Sequence, residues 1–319
     1  MHARVEPEPE GVLNVNKSGG MTSHDVVDEV RRILKIRRVG HTGTLDPQAT
    51  GVLPICVGKA TKIARFLTAA DKDYLVTMRL GIQTDTMDAE GKILAETTEI
   101  PRDREKVEAA LAQFRGEIQQ VPPLFSAKKH HGERLYRLAR RGETVERDPI
   151  SVKVYELELT SFDPPFIRFR VFCSKGTYAR ALCDDMGKVL HCGAHLHSLV
   201  RLKAGQFRLE EAITLFRLQE IQEQGKLAEV LLPIEQALDH LPAVRVLPDS
   251  SRSVLHGGSI SLQDVVNLPS GLLEGSMVRV LGIRKKLLSL AELTVNTDQI
   301  QNLNPRQIIL RPVKVFSYR

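Results

Sequence analysis

The sequence predicts an α+β fold, in which a mixed, mainly antiparallel sheet flanked by helices is followed by a small β-barrel-like domain. Three observations carry this. Strand-like and helix-like runs mix without the regular alternation that builds a doubly wound parallel sheet. Two β-rich runs, 152–159 and 166–173, are separated only by a turn at Asp163-Pro164-Pro165, as adjacent antiparallel strands are. From about His240 the texture changes to short β-rich runs at 244–247, 277–281 and 287–293, spaced by Gly257-Gly258 and Gly271, which suits a small barrel. The expected domains are residues 1–238 and 239–319.

Residues 11–17 alternate as a strand, and Ser18-Gly19-Gly20 ends it. A helix follows. Thr22 or Ser23 can cap it, Asp25, Asp28 and Glu29 lie in its early turns, and Val26, Val27, Val30, Ile33 and Leu34 share one face. Its basic end suits the helix dipole, while Arg37 and Arg38 lie beyond it and can meet phosphate. Residues 40–51, with Gly40, Gly43, Gly51 and Pro47, cannot make a regular helix and read as an ordered loop. Residues 52–57 read as a buried strand and 60–67 as a short helix. The alternation at 74–80, the turn-rich 85–91 and the run 93–96 suggest an antiparallel hairpin. Residues 107–114 are helical, Val121-Pro122-Pro123 breaks the pattern, and 133–141 reads as a basic helix ending at Gly142. A further helix opens after Ser174-Lys175-Gly176-Thr177 and runs through Leu190, and 215–238 reads as helix and linker.

Composition narrows the functional classes. The chain is 42% hydrophobic, enough for a sizeable core, yet no run approaches eighteen apolar residues. The polar, acid-rich and proline-rich residues 1–10 do not resemble a secretory signal. Cys56, Cys173, Cys183 and Cys192 show no C-x-x-C spacing, so neither a zinc ribbon nor a disulfide framework is signalled, and a reducing cytoplasm is expected. A net charge of +6 and a pI near 9.1 permit a nucleic-acid partner. The basic residues fall in two clusters: Arg31, Arg32, Lys35, Arg37 and Arg38, and then Lys128, Lys129, His130, His131, Arg134, Arg137, Arg140 and Arg141 around Tyr136. One such cluster is ordinarily a solvated face, but the first abuts the 40–51 loop.

That loop carries a single acid, Asp46, which Pro47 biases toward an extended backbone. A lone carboxylate presented this way suits a nucleophile or general base, and it equally suits an Asp-Pro turn. Tyr74 alone reads as a half-buried sheet residue, and Tyr178 and Arg180 as an exposed first helical turn. Asp85 and Asp88 fit turn chemistry. His191, Cys192, His195 and His197 are the one tempting metal cluster, since His195-x-His197 puts two side chains on one strand face.

The run Gly40-His41-Thr42-Gly43-Thr44-Leu45-Asp46-Pro47, with Ala49-Thr50-Gly51-Val52-Leu53-Pro54 after it, resembles the active-site motif of the TruB family of tRNA pseudouridine synthases. Five further stretches agree in order: residues 17–23, Asp73-Tyr74, 79–81 with 84–88, Pro122-Pro123 with 126–129, and 174–180. Ser18 departs from the proline usual in the family. The similarity covers roughly residues 11–210, and the tail resembles a divergent PUA domain, a small RNA-binding barrel. This resemblance implies the pseudouridine synthase catalytic fold and a cofactor-free, metal-free isomerase that turns uridine 55 of the TΨC loop of tRNA into pseudouridine after flipping it out. By motif match it assigns catalysis to Asp46, Tyr74 and Arg180, and substrate contacts to His41, Tyr74, Tyr178, Leu199, Lys17, Lys128 and Lys129. His41 is implied where the extruded base leaves a gap. The expected partner is the T-arm of tRNA, bound by a monomer with no membrane. The rivals are a non-catalytic tRNA-binding or folding factor, which need not retain Asp46, and a guide-RNA-dependent synthase, against which the short N-terminal segment and lack of long basic tails argue.

Overall fold

The computed structural model describes residues 8–316 apart from 127, 131 and 144. His131 of the second basic cluster therefore lies outside the described residues, as do the side chains of Lys129, His130, Arg134, Tyr136 and Arg140. The chain forms two compact units, divided between Leu231 and Leu232. Among the described residues no helix is long and apolar enough to cross a membrane.

The first unit opens with β1 (Gly11–Lys17) and α1 (Ser23–Leu34). Thr22 caps α1 by accepting from the Asp25 N–H, and Asp25 returns the bond to the Thr22 backbone, so two otherwise orphaned donors are satisfied. β2 (Val39–His41) and β3 (Thr50–Val57) bracket the glycine-rich loop, and α2 (Ala64–Thr68) leads into β4 (Lys72–Leu80). Then come β5 (Ile82–Thr84), β6 (Ile93–Glu96), α3 (Arg104–Ala112) and β7 (Gly116–Gln120). The short β8 (Lys129–His130) and β9 (Glu133–Arg134) precede α4 (Leu135–Arg140). β10 (Ile150–Asp163), β11 (Phe166–Cys173), α5 (Ala179–Val189), β12 (Ala194–Ala204), β13 (Phe207–Arg208) and α6 (Leu215–Glu223) complete the unit.

Nine strands form one mixed sheet in the order β1-β3-β12-β4-β11-β10-β7, with β2 on β3 and β13 on β12. Every pairing is antiparallel except β12 with β3. One face of the sheet carries Leu13, Leu53, Ile55, Val76, Met78, Phe169 and Val171, packed with Val26, Val30 and Ile33 of α1 and Leu182 and Met186 of α5 in one core. Burying an apolar side chain of this size contributes about 1.5–3 kcal/mol, which makes α1 stable despite its modest length.

Two expectations are corrected. Strand 93–96 pairs with β5 rather than with 74–80. Both edges of β4 are already taken by β11 and β12, and Gly81 turns the chain away at φ +85°, where an added Cβ would lie 2.6 Å from the Thr97 carbonyl. The helix expected over 133–141 is confined to α4, because Glu133 and Arg134 pair with β8.

The second unit holds α7 (Ile234–Ala237), β14 (Ala243–Val246), α8 (Ser250–Leu255), β15 (Ile260–Ser261), β16 (Val265–Asn267), β17 (Met277–Leu281), β18 (Leu287–Leu293) and β19 (Ile308–Val315). Its six strands make a barrel-like sheet, ordered β15-β19-β18-β17-β14-β16, around Val244, Val278, Val280, Leu293 and Leu310.

Candidate active site

Asp46 stands between two clamped neighbours. Before it, the buried Ser23 hydroxyl donates to the Leu45 carbonyl at 3.1 Å and accepts from the Leu45 N–H at 2.8 Å. Behind it, the Pro47 carbonyl accepts from Lys17 Nζ at 2.8 Å and from the Gly20 N–H at 3.0 Å. The start of α1 and the end of β1 thus fix the backbone on either side of the carboxylate. Lys17, expected at the substrate, is fully buried beneath the loop, with its ammonium also on the Ser18 carbonyl. Burial pushes it down to about 8.

Arg180, on the first turn of α5, meets this carboxylate. Its Nε lies 2.9 Å from Asp46 Oδ2, and its Nη2 donates to Asp46 Oδ1 at 3.3 Å. The same guanidinium reaches Asp88 Oδ2 at 3.5 Å and the carbonyls of Phe125 and Thr86 at 2.8 and 3.3 Å. The Arg180 side chain is 6% exposed, whereas Asp46 keeps 41% exposure toward the cleft. Arg180 favours the charged form of Asp46, yet burial outweighs it. The Asp46 carboxyl is pushed above its ordinary value by desolvation, opposed by Arg180 and reinforced by Asp88. If Asp46 works as a carboxylate, activity falls as pH drops through that raised value. The acid limb of a kcat/KM profile is therefore expected above the range of an ordinary aspartate, about 3.9. A flat profile down to that range would show that the ionised form is not required.

The cleft in front of Asp46, about 630 Å³, is lined by Tyr74, Tyr178, Leu196, Leu199 and Arg201 together with the loop itself. Tyr74 projects from β4, and its hydroxyl is hydrogen-bonded to Arg201. Burial raises its pKa, so it stays a neutral phenol at physiological pH. Tyr178 precedes α5, where Gln120 locks its backbone by accepting its N–H at 3.0 Å and donating to its carbonyl at 3.3 Å. Leu199 contributes an apolar surface from β12.

The structure thus brings together Asp46, Tyr74, Arg180, Tyr178 and Leu199. Others stand apart. His41 lies on β2, its Nδ1 accepting the Gly43 N–H at 3.3 Å and its ring edge-on to His24, and it does not line the cleft. Lys128 does not line it either, and the Lys129 side chain lies outside the described residues. The His191, Cys192, His195, His197 stretch forms no metal set among the described residues; His195 is buried with Nδ1 at 3.0 Å from the Ile82 carbonyl.

Two residues escaped sequence reasoning. Arg201 is 1% exposed; its Nε donates to the Val52 carbonyl at 2.6 Å and its Nη2 to the Gly43 carbonyl at 3.3 Å, so it ties β12 to both ends of the loop and to Tyr74. An arginine in a β-rich run gives no local sign of this. Asp88, read as a turn residue, does hold its turn through Thr86 Oγ1 and the Glu90 N–H, but its other oxygen faces Arg180.

Asp46, held by Arg180 in a cleft walled by Tyr74 and Tyr178, lies in a chain that carries the sequence signature of a pseudouridine synthase, an isomerase of RNA uridines. Residues 31–179 match the TruB family pseudouridylate synthase N-terminal domain and residues 180–239 the tRNA pseudouridylate synthase B C-terminal domain. Curated relatives named tRNA pseudouridine synthase B are 47% identical in Pseudomonas paraeruginosa, over 80% of this chain and 84% of that protein, and 49% identical in Francisella tularensis subsp. novicida, over 69% and 73%. The crystal structure of a Cbf5-Nop10-Gar1 complex contains a chain 30% identical, with TM-score 0.79 over 96% of this chain and 85% of that one. The chain belongs to the TruB family of pseudouridylate synthases.

Proposed function

We propose that this enzyme converts uridine 55 in the TΨC loop of tRNA to pseudouridine, with Asp46 as the catalytic carboxylate. The observation that carries the reading is the Asp46–Arg180 pair at the floor of a cleft walled by Tyr74, Tyr178 and Leu199. A stacked uridine must leave the loop to reach Asp46, at a cost of a few kcal/mol. Stacking on an aromatic ring returns about 1–3 kcal/mol per base, which Tyr74 and Tyr178 are placed to supply. Asp46 then assists cleavage of the C1′–N1 bond; the base turns, C1′–C5 forms, and C5 gives up its proton as N1 gains one. The reaction is intramolecular and redox-neutral, and its atoms balance within the uridine. Arg180 orients the carboxylate throughout.

The exposed Arg37 and Arg38 past α1 suit contact with tRNA phosphates, and the barrel-like second unit is the proposed PUA-like RNA-binding module. The second basic cluster divides: Arg141 is bound by Glu133 and Glu143 at 2.7 and 2.6 Å, which makes it a structural ion network. Affinity for tRNA is expected to fall linearly on a log–log plot against salt, by about 0.9 per neutralised duplex phosphate. Arg37→Glu with Arg38→Glu should flatten that slope, and an unchanged slope would remove both from the interface. The function itself is tested with an unmodified T-arm stem-loop, incubated without guide RNA, metal or cofactor. One pseudouridine is expected at the position of uridine 55, and none when that uridine is replaced by cytidine.

A further inference from the structure

We propose that the basic end of the cleft seats one RNA backbone phosphate flanking the flipped nucleotide, with Lys72 as its principal contact. This deepens the function proposed above and rests on it.

Five cations line the cleft, Arg65, Lys72, Lys175, Arg180 and Arg201, against one acid, Asp46. Arg180 is engaged by Asp46, and Arg201 by the Val52 and Gly43 carbonyls and Tyr74. Lys72 and Lys175 face no acid among the described residues lining the cleft. They are neighbours by construction: Lys72 pairs with Cys173 across β4 and β11, so Ser174 and Lys175 leave β11 beside it. Thr68, also on the lining, closes the same end from α2.

Lys72 is the anomalous member. It is 7% exposed, and its ammonium donates to the carbonyls of Thr68 and Ala70 at 2.6 and 2.5 Å. An ammonium has three donors, so one remains after the helix-end carbonyls are met. Capping those carbonyls accounts for two bonds. It does not account for a buried cation placed beside Arg201 and Lys175 on a cleft wall. Burial first, then Arg201 and Lys175, push Lys72 down to about 8, against the raising influence of Cys173 and of Asp71, which does not line the cleft. A flipped nucleotide brings two phosphates to the cleft, and phosphate contacts from lysine fix the register of a nucleic acid.

The test uses T-arm stem-loops that carry a single neutral methylphosphonate, moved stepwise across the linkages around the target uridine. They are bound to the full chain carrying Asp46→Asn, so no turnover intervenes. One flanking linkage, 5′ or 3′, is expected to weaken binding about tenfold when neutralised. The same linkage should have little effect once Lys72→Met is added, and that substitution should lower the salt slope by about 0.7–0.9. Unchanged binding at every flanking linkage would overturn the proposal, as would a loss that persists undiminished beside Lys72→Met. Should Lys72→Met fail to fold, Lys175→Ala, exposed at the same end, takes its place in the comparison. Failure of the functional reading would look different: the wild-type chain would make no pseudouridine while the methylphosphonate dependence persisted.

Discussion

Asp46→Asn is expected to lower pseudouridine formation in a T-arm stem-loop by at least about 10³-fold while leaving the Kd for that RNA within a few-fold. The substitution preserves the shape of the side chain and an oxygen for Arg180 Nε, so Ser23, Lys17 and Gly20 still hold the loop. What disappears is the negative charge and the second acceptor. Arg180 keeps Asp88 and the Phe125 and Thr86 carbonyls, which limits the cost of leaving a guanidinium with a neutral neighbour. Stacking on Tyr74 and Tyr178 does not involve the lost charge, so ground-state binding survives. Turnover close to wild type in the variant would remove Asp46 from the chemistry. Loss of binding in proportion to the loss of rate would recast it as a structural residue of the loop.

Gly51→Ala carries the largest expected effect on stability. Gly51 has φ +100°, and a Cβ there would lie 2.3 Å from the Arg201 carbonyl oxygen and 2.9 Å from the Arg201 nitrogen. Both obstacles are backbone, and they belong to the parallel pairing of β3 with β12, where Gly51 stands opposite Arg201. Neither can rotate away. Strain at a positive φ and overpacking each cost about 1–3 kcal/mol, so a loss of about 3 kcal/mol or more is expected. For a unit of this size that lowers the Tm by roughly 6–12 °C. If β12 shifts instead of unfolding, Arg201 moves with it, and the same variant loses kcat because Tyr74 and Gly43 lose their common anchor. Unaltered thermal unfolding and unaltered kcat together would show that the close approach is not required.

What could be read from the sequence was whatever is local. The loop around Asp46 is contiguous, so its glycines, prolines and single acid are visible at once. α1 announces itself through the spacing of Val26, Val27, Val30, Ile33 and Leu34 and through its capping pair. The antiparallel pair β10 and β11 follows from two β-rich runs and the turn between them. The strand β12 is harder, although it lies between β3 and β4 near the middle of the sheet. Its inward position 201 is an arginine whose charge is met by carbonyls about 150 residues earlier, at Val52 and Gly43. No period-2 pattern survives that substitution of a buried cation for an apolar residue.

The same holds for the site. Lys17 lies in a stretch matched to the family motif, yet the fold turns its ammonium under the loop toward the Pro47 carbonyl. Asp88 is chemically a turn residue and electrostatically a second partner of Arg180; only the tertiary structure adds the second role. The rise in the Asp46 pKa is likewise non-local, since it depends on how much water the assembled cleft excludes.

The central claim is tested most directly by incubating the purified wild-type chain with a full-length unmodified tRNA transcript, without guide RNA, metal or cofactor, and mapping every new pseudouridine by position. One new pseudouridine at position 55, absent with Asp46→Asn, is the predicted result. No pseudouridine, or pseudouridine at other positions with 55 left as uridine, would contradict it.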